Sequence, residues 1–557
     1  MELLQSAGSG STRLHRDVGF WGMTAFSLGS IIGSGWLLGA LTAASVAGAA
    51  SLISWILAAF MLALLALVHA ELGGAYFVAG GTARFPHFAF GSLTGFTGGW
   101  MSWLQAVPVA PIETEASLSY LAHISWVHSH VHILHTNGTL TGSGLILGTV
   151  FMVVFTIINL VGVRFLSNTN SIAVAWKTAI PLLTVVVLLT TTFHSSNFKA
   201  GGGFAPFGAH GIFAALPAGV VFALEGFEGA IQMAGEARKP RDIPRAVLTA
   251  TGIGTVIYLL LEVAFIGALA PHNLLHGWAS PVGAGDFGPF ATLATVAGAG
   301  WLAATLYIDA VVSPAGAGLT YISESARLTY AMGKQRDLPT RLARTSLRGI
   351  PVTSVILAFV IGELCFLPFP SWQSLVGLIT SANAIMYGFA PPSLHALRRR
   401  DPDRNRPYKI PWLRVTCPAA FVSANLIVYW SGWSADWKIA VALAVGYVLF
   451  TITRARIPAA ERRPLSWRGS SWIWPWLGGL LIIDKLGQYG GTDLIPFWWD
   501  IVVVILFSIV VYIIAIHVAL PSEKVASLIQ EDEDEMALQS VPAQSSGPAM
   551  GGAPTTT

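Results

Sequence analysis

The stretch "AGVVFALEGFEGAIQMA" (residues 218–234) has the composition of a membrane helix, yet it holds two acids and three glycines. Charge at membrane depth is expensive and marks function by default. Glycine inside a helix weakens it by about 1 kcal/mol relative to alanine. Glu225, Gly226, Glu228 and Gly229 therefore oppose the element they occupy. A helix that stops inside the membrane, with acids at the stop, accounts for all four.

The rest of the chain supplies the membrane. Its 557 residues are 54% hydrophobic and 11% charged, with a mean hydropathy of +0.64. A soluble domain is about 25% charged. Apolar runs near the length of a bilayer-crossing helix predict spans at 20–44, 48–69, 90–118, 144–162, 170–192, 211–234, 246–270, 288–325, 351–369, 372–396, 415–432, 436–453, 470–484 and 497–520. The stretch 470–484 is short and contains Pro475; it is a span or a re-entrant piece. The expected fold class is an all-α polytopic membrane protein. Residues 1–17 are polar and lack a signal-peptide core. Cys365 and Cys417 give no disulfide or metal framework.

Charge placement orients the chain. Lys177 lies inside the fifth span; Lys199, Lys438 and Lys485 lie in loops expected outside. The remaining Lys and Arg fall in the N-terminal segment, the C-terminal tail and alternate loops. Those loops are "EARKPRDIPR" (236–245), "RLTYAMGKQRDLPTRLARTSLR" (327–348), "RRRDPDRNRPYK" (398–409) and "RARIPAAERRPLSWR" (454–468). Positive loops stay cytoplasmic, so both termini are expected inside. The tail with "EDEDE" (531–535) reads as a disordered acidic segment.

The first span repeats the theme of the sixth. "FSLGSIIGSGWLLGA" (26–40) crowds four glycines and two inner serines into its centre. Interruptions in spans one and six suggest a five-plus-five inverted repeat. Unwound backbone at membrane depth survives only where it is buried in protein or lines a wet cavity. A half-helix starting after residues 33–35 has free N–H groups and a positive dipole end, suited to a carboxylate. Carbonyls freed near Ala223 to Glu225 suit an ammonium. Together they fit an α-amino acid.

Other intramembrane charges are Lys177 in "SIAVAWKTAIPLL" (171–183), Asp309 in "LYIDAVVSPAGAG" (306–318), Glu262 in "LLLEVAFIGAL" (259–269), and Glu113 and Glu115 in "PIETEA" (111–116). An ammonium held away from water releases its proton more readily, so Lys177 is a proton carrier, half of a permanent ion pair with a buried acid, or a side chain that snorkels to an interface. The acids are expected to bond neighbouring helices. In "SWVHSHVHILH" (125–135), His128, His130 and His132 would share one side of an extended segment; an outer loop is the expected reading, and no metal site is assigned.

Several motifs in order resemble the amino acid/polyamine/organocation superfamily of secondary transporters. They are "GSIIGSG" (29–35), "AELGGAYFVAGG" (70–81), "FALEGFEGAIQMAGEARKPRDIPRA" (222–246), "YIDAVVSPAG" (307–316) and "SARLTYAMGKQRDLP" (325–339). "GWLLGALTAASVAG" (35–48), "GSLTGFTGGW" (91–100), "PIETEA" and "LPFPSWQSLVGLITSA" (367–382), with the extra C-terminal spans, look like its aspartate:proton symporter branch. The resemblance implies a ten-helix inverted-repeat core (18–400), four additional helices (401–520) and cytoplasmic segments 1–17 and 521–557. It implies substrate contact by Ile32, Gly33, Ser34 and Gly35, and by Phe222, Ala223, Glu225 and Gly226. It also places Lys177 where proton-coupled members keep a lysine. Glu225 departs from the family pattern, which has an aromatic or small residue there.

The expected activity is proton-coupled amino-acid import by alternating access, with an acidic amino acid such as aspartate favoured by the resemblance. The acid-rich core favours instead a cationic amino acid or polyamine, imported or exchanged; an ion carrier is a third reading. The chain has none of the hydrolase or nucleotide-binding motifs HExxH, GxSxG and GxxxxGK[ST], which speaks against an enzyme. No cofactor and no nucleic-acid partner is expected. The expected partners are the substrate, protons and the bilayer of a bacterial inner membrane.

Overall fold

The computed structural model describes residues 18–540, apart from 77–80, 162–163, 284–287, 347–349, 368–370, 460–461 and 463. The N-terminal segment 1–17 and the end of the tail, 541–557, lie outside the described residues. The first span is two helices, α1 (Phe20–Ile31) and α2 (Gly35–Ala47). The second is α3 (Ser51–Ala75), followed by α4 (Gly81–Phe90). The third bends at Pro108 between α5 (Ser92–Ala106) and α6 (Val109–Leu121). A short α7 (Ser125–His130) precedes α8 (Gly142–Val161) and α9 (Arg164–Thr191).

The sixth span is fragmented. It runs through α10 (Gly208–Ala214), a wide turn at Leu216–Val220, and α11 (Val221–Leu224). A non-helical gap follows, then the single turn α12 (Gly229–Gln232). The seventh span is α13 (Asp242–Ala268). The stretch read as one span at 288–325 is a short α14 (Pro289–Val296) and a separate long α15 (Gly300–Lys334). Next come α16 (Val352–Cys365), α17 (Trp372–Gly388) and α18 (Ala390–Arg400). Four further helices complete the bundle: α19 (Leu413–Ser431), α20 (Trp433–Ala455), α22 (Ile473–Leu486) and α23 (Trp499–Val518), with the turn α21 (Trp467–Ser470) ahead of α22.

Among the described residues, eight helical stretches are long and apolar enough to cross a membrane, and shorter apolar ones occur at Gly208–Leu224 and Val352–Cys365. Their outward faces are apolar: Ile56 and Phe60, Val150 and Val154, Val441 and Val445, and Ile509 and Ile513 are all exposed at four-residue spacing. Such stripes suit a hydrocarbon solvent. The protein is an all-helical, multi-pass membrane protein. Its centre is α13 packed along α1 and α3, and α6 packed along α15. The helix α22 has 14 residues, about 21 Å at 1.5 Å per residue. Pro475 sits in its first turn, where proline costs little, and Trp472 and Trp476 are fully buried.

One expectation is corrected. Residues 522–540, read as disordered, form helix α24 (Ser522–Ser540). It buries Val525 and Ile529 against α4 and α18, and its acids are spent on Asp532–Arg84 (2.9 Å) and Glu533–Arg404 (2.9 Å). The "EDEDE" run is thus partly the charged face of an amphipathic helix. The histidine run, expected to be an outer loop, begins with a short helix. Ser125–His130 is helical, His130 stacks on Trp126 at 4.9 Å, and the alternation of three histidines on one side is lost. The motif at 70–81 has a structural role at Glu71, which is buried. Arg398 forms a two-pronged ion pair with it, and the Ile410 N–H donates to it at 2.7 Å. Phe77 to Gly80 of that motif lie outside the described residues.

Candidate functional site: the paired helix breaks

Both predicted interruptions are present, and they face each other. At the first, Ile32 has φ −90° and ψ 83°, outside helical values. At the second, Glu225 is extended (φ −72°, ψ 163°) and Gly226 has φ +110°. A Cβ on Gly226 would lie 2.7 Å from the Ser30 carbonyl carbon and 2.8 Å from the Ile31 nitrogen. One on Gly35 would lie 2.8 Å from the Ala223 Cα. These glycines serve close backbone approach as well as helix breaking. Ser27 stitches the breaks together: its Oγ donates to the Phe227 carbonyl (3.0 Å) and accepts from the Ala230 N–H (2.9 Å).

Helix ends inside a membrane must satisfy their own backbone groups. Here side chains from other spans do so. The Lys177 ammonium on α9 donates to the Gly29 carbonyl at 3.0 Å. The Tyr258 hydroxyl on α13 donates to the Ile31 carbonyl at 2.9 Å. At the start of α2, the Ser34 N–H donates to Glu113 Oε2 (2.8 Å) and the Ser34 hydroxyl to Glu113 Oε1 (3.2 Å). Trp372 Nε1 donates to the Ser34 Oγ at 2.9 Å. The end expected to receive a substrate carboxylate therefore holds the protein's own Glu113, while the protein's own ammonium sits at the Gly29 carbonyl and not at the carbonyls of Ala223 to Glu225. Glu113, expected to bond a neighbouring helix, does so at the helix end assigned to a substrate carboxylate.

Lys177 lies in the field of Glu113 and, more weakly, Asp309. Asp309 in turn accepts from Trp176 Nε1 (2.7 Å) and Ser313 (2.8 Å). Glu228 accepts from the Gly226 N–H at 3.1 Å and from the Tyr387 hydroxyl, so it braces the break. Both Glu225 carboxylate oxygens lack a hydrogen-bond partner although the residue is 5% exposed. Glu262 bonds Ser51, as a structural acid does.

A small cavity of about 20 Å³ lies between the breaks. Gly33, Gly35, Phe222 and Glu225 line it, as does Glu113. Of the other anticipated contacts, Ile32 and Ala223 are buried packing residues. Ser34 is occupied by Glu113, and Gly226 by its approach to the first span. Sequence reasoning missed Gln105, Glu113, Tyr321 and Asn383, all of which line the cavity. Gln105, Val109 and Glu113 recur every four residues on the third span, a helical face visible in the sequence. No comparable pattern betrays Tyr321.

A helical membrane bundle whose two interrupted spans enclose a polar cavity is built as a carrier of small polar solutes. Residues 18–452 match the family described as "Amino acid permease", and the chain belongs to that family. It is similar to the glutamate/serine transporter AimA of Bacillus subtilis (strain 168), 34% identical over 518 residues that cover 90% of this chain and 94% of the relative. It is 32% identical to the aspartate-proton symporter of the same organism over 516 residues, 91% of this chain and 97% of the relative. The branched-chain amino acid permease BcaP of that organism is 25% identical over 460 residues, 80% of this chain and 95% of the relative. The protein is a membrane permease and not an enzyme.

Proposed function

We propose that the chain imports small polar amino acids across a bacterial inner membrane by proton symport, with both termini cytoplasmic and a five-plus-five inverted-repeat core that alternates its access. Aspartate is the first substrate to test, as the similarity to an aspartate-proton symporter suggests. The observation that carries the reading is the Lys177 ammonium bonded to the Gly29 carbonyl at the break of the first span. A titratable group tied to the element that must move is a means of coupling.

The cycle follows from competition for the helix ends. A substrate carboxylate takes the Ser34 N–H from Glu113, whose charge then turns to Lys177. Loss of a proton from Lys177 weakens its hold on Gly29 and frees the first span. Each ligand shifts the equilibrium only by its differential affinity for the two states. A second reading has its own support: Glu113 and Glu225 are acids and no basic side chain is among the described cavity-lining residues, which favours a cationic amino acid or polyamine.

The discriminating experiment is Lys177→Ala in proteoliposomes. The proposal expects loss of pH-driven accumulation with substrate counterflow retained. Accumulation driven by a proton gradient at the wild-type level would remove Lys177 from coupling.

A further inference from the structure

One end of the cavity is left unsatisfied by the protein. Gln105 on α5, Glu225 at the break and Asn383 on α17 all line it. They are 1%, 5% and 1% exposed. Both amide atoms of Gln105, both carboxylate oxygens of Glu225 and the Asn383 side-chain oxygen lack a partner within hydrogen-bonding geometry, although the Asn383 amide lies beside Glu225 and Gln105 lies beside Glu324. Nine buried polar groups in ten are bonded in folded proteins. Three polar side chains from three separate spans, lining one space with hydrogen-bonding capacity left over, define a polar ligand end. At the other end Lys177, Tyr258 and Glu113 satisfy the helix termini, so a substrate carboxylate binds there only by displacing Glu113.

The donor and acceptor inventory limits what fits. Glu225 and the two amide carbonyls accept, while the amide nitrogens of Gln105 and Asn383 donate, that of Asn383 from beside Glu225. An ammonium donates only and leaves the Gln105 nitrogen unserved. A carboxylate accepts only and meets Glu225, with Glu228 beside it, as a like charge. An O–H group does both. Ile31, Val109, Phe222 and Ile379 wall the space, which suits a short side chain.

We propose that Gln105, Glu225 and Asn383 form the side-chain subsite of the cavity and read an O–H group on a short amino acid: a hydroxyl, or a carboxyl that enters carrying its own proton. The proposal rests on the amino-acid transport reading above. It names Gln105 and Asn383 as specificity residues and requires an acidic substrate to arrive protonated on its side chain.

The test is counterflow of labelled L-serine in proteoliposomes, competed by serine against alanine and by threonine against 2-aminobutyrate. Each pair differs by the hydroxyl. A site built to bond a hydroxyl rejects the analogue lacking it, so serine and threonine are expected to compete better by at least about tenfold. Gln105→Met and Asn383→Leu are expected to shrink that ratio to about threefold or less while alanine competition persists. Equal competition within each wild-type pair would overturn the subsite, as would lysine or ornithine outcompeting serine. Loss of serine and alanine competition in parallel in both variants would also overturn it. Absence of counterflow for every amino acid would instead overturn the transport reading itself.

Discussion

Substitution of Gly226 by alanine tests the meeting of the two breaks. The residue has φ +110°, where an L side chain costs about 1–2 kcal/mol or more. Its new methyl would stand 2.7 Å and 2.8 Å from Ser30 and Ile31 backbone atoms and 3.0 Å from the Ser30 Cβ. Backbone cannot yield as a flexible side chain can, and overpacking of this kind costs about 1–3 kcal/mol. The two effects are physically distinct, so Gly226→Ala should destabilise the protein by about 2–5 kcal/mol. The control is Gly252→Ala on α13, where a Cβ meets nothing within 4 Å. There alanine should be neutral or stabilising by up to about 1 kcal/mol. Reversible unfolding in mixed micelles reads both. A Gly226→Ala protein within a few tenths of a kcal/mol of wild type would refute the packing of break against break.

Glu113→Gln weakens the competitor for the Ser34 N–H. Substrate should therefore bind more tightly in detergent, by several-fold, while proton-driven uptake falls; weaker binding would argue against displacement. Arg398→Ala leaves the buried Glu71 with Arg406 at 3.6 Å as its remaining cationic partner, and should cost about 3–5 kcal/mol in unfolding experiments. Ile529→Ala in α24 should cost about 2 kcal/mol or more in unfolding experiments; a stability within a few tenths of a kcal/mol of wild type would mean that apolar burial does not dock this helix. Glu225→Gln should change the order of preference across an amino-acid panel, and an unchanged order would give Glu225 a purely structural role.

The spans were legible because hydropathy and helix length are local properties. The helix α23, for example, begins and ends within two residues of its expected limits. The breaks were legible too, since glycine clusters and buried acids conflict with the helix around them. What fills the breaks was not. Glu113 is 79 residues from Ser34, and Lys177 is 148 from Gly29, and nothing local in "PIETEA" says which of its acids turns inward. Tertiary packing also decided the fate of the tail. Val525 and Ile529 are a sparse apolar pattern that acquires meaning only beside α4 and α18. Alternation of His128, His130 and His132 says nothing of the local backbone, and Ser125–His130 follows a helical period.

The most direct measurement is uptake of labelled aspartate into proteoliposomes under an inward proton gradient, with and without an uncoupler. The account predicts accumulation above equilibrium that collapses with the uncoupler and is blocked by excess serine. Uptake indifferent to the uncoupler, or exchange confined to arginine, lysine or a polyamine, would contradict it.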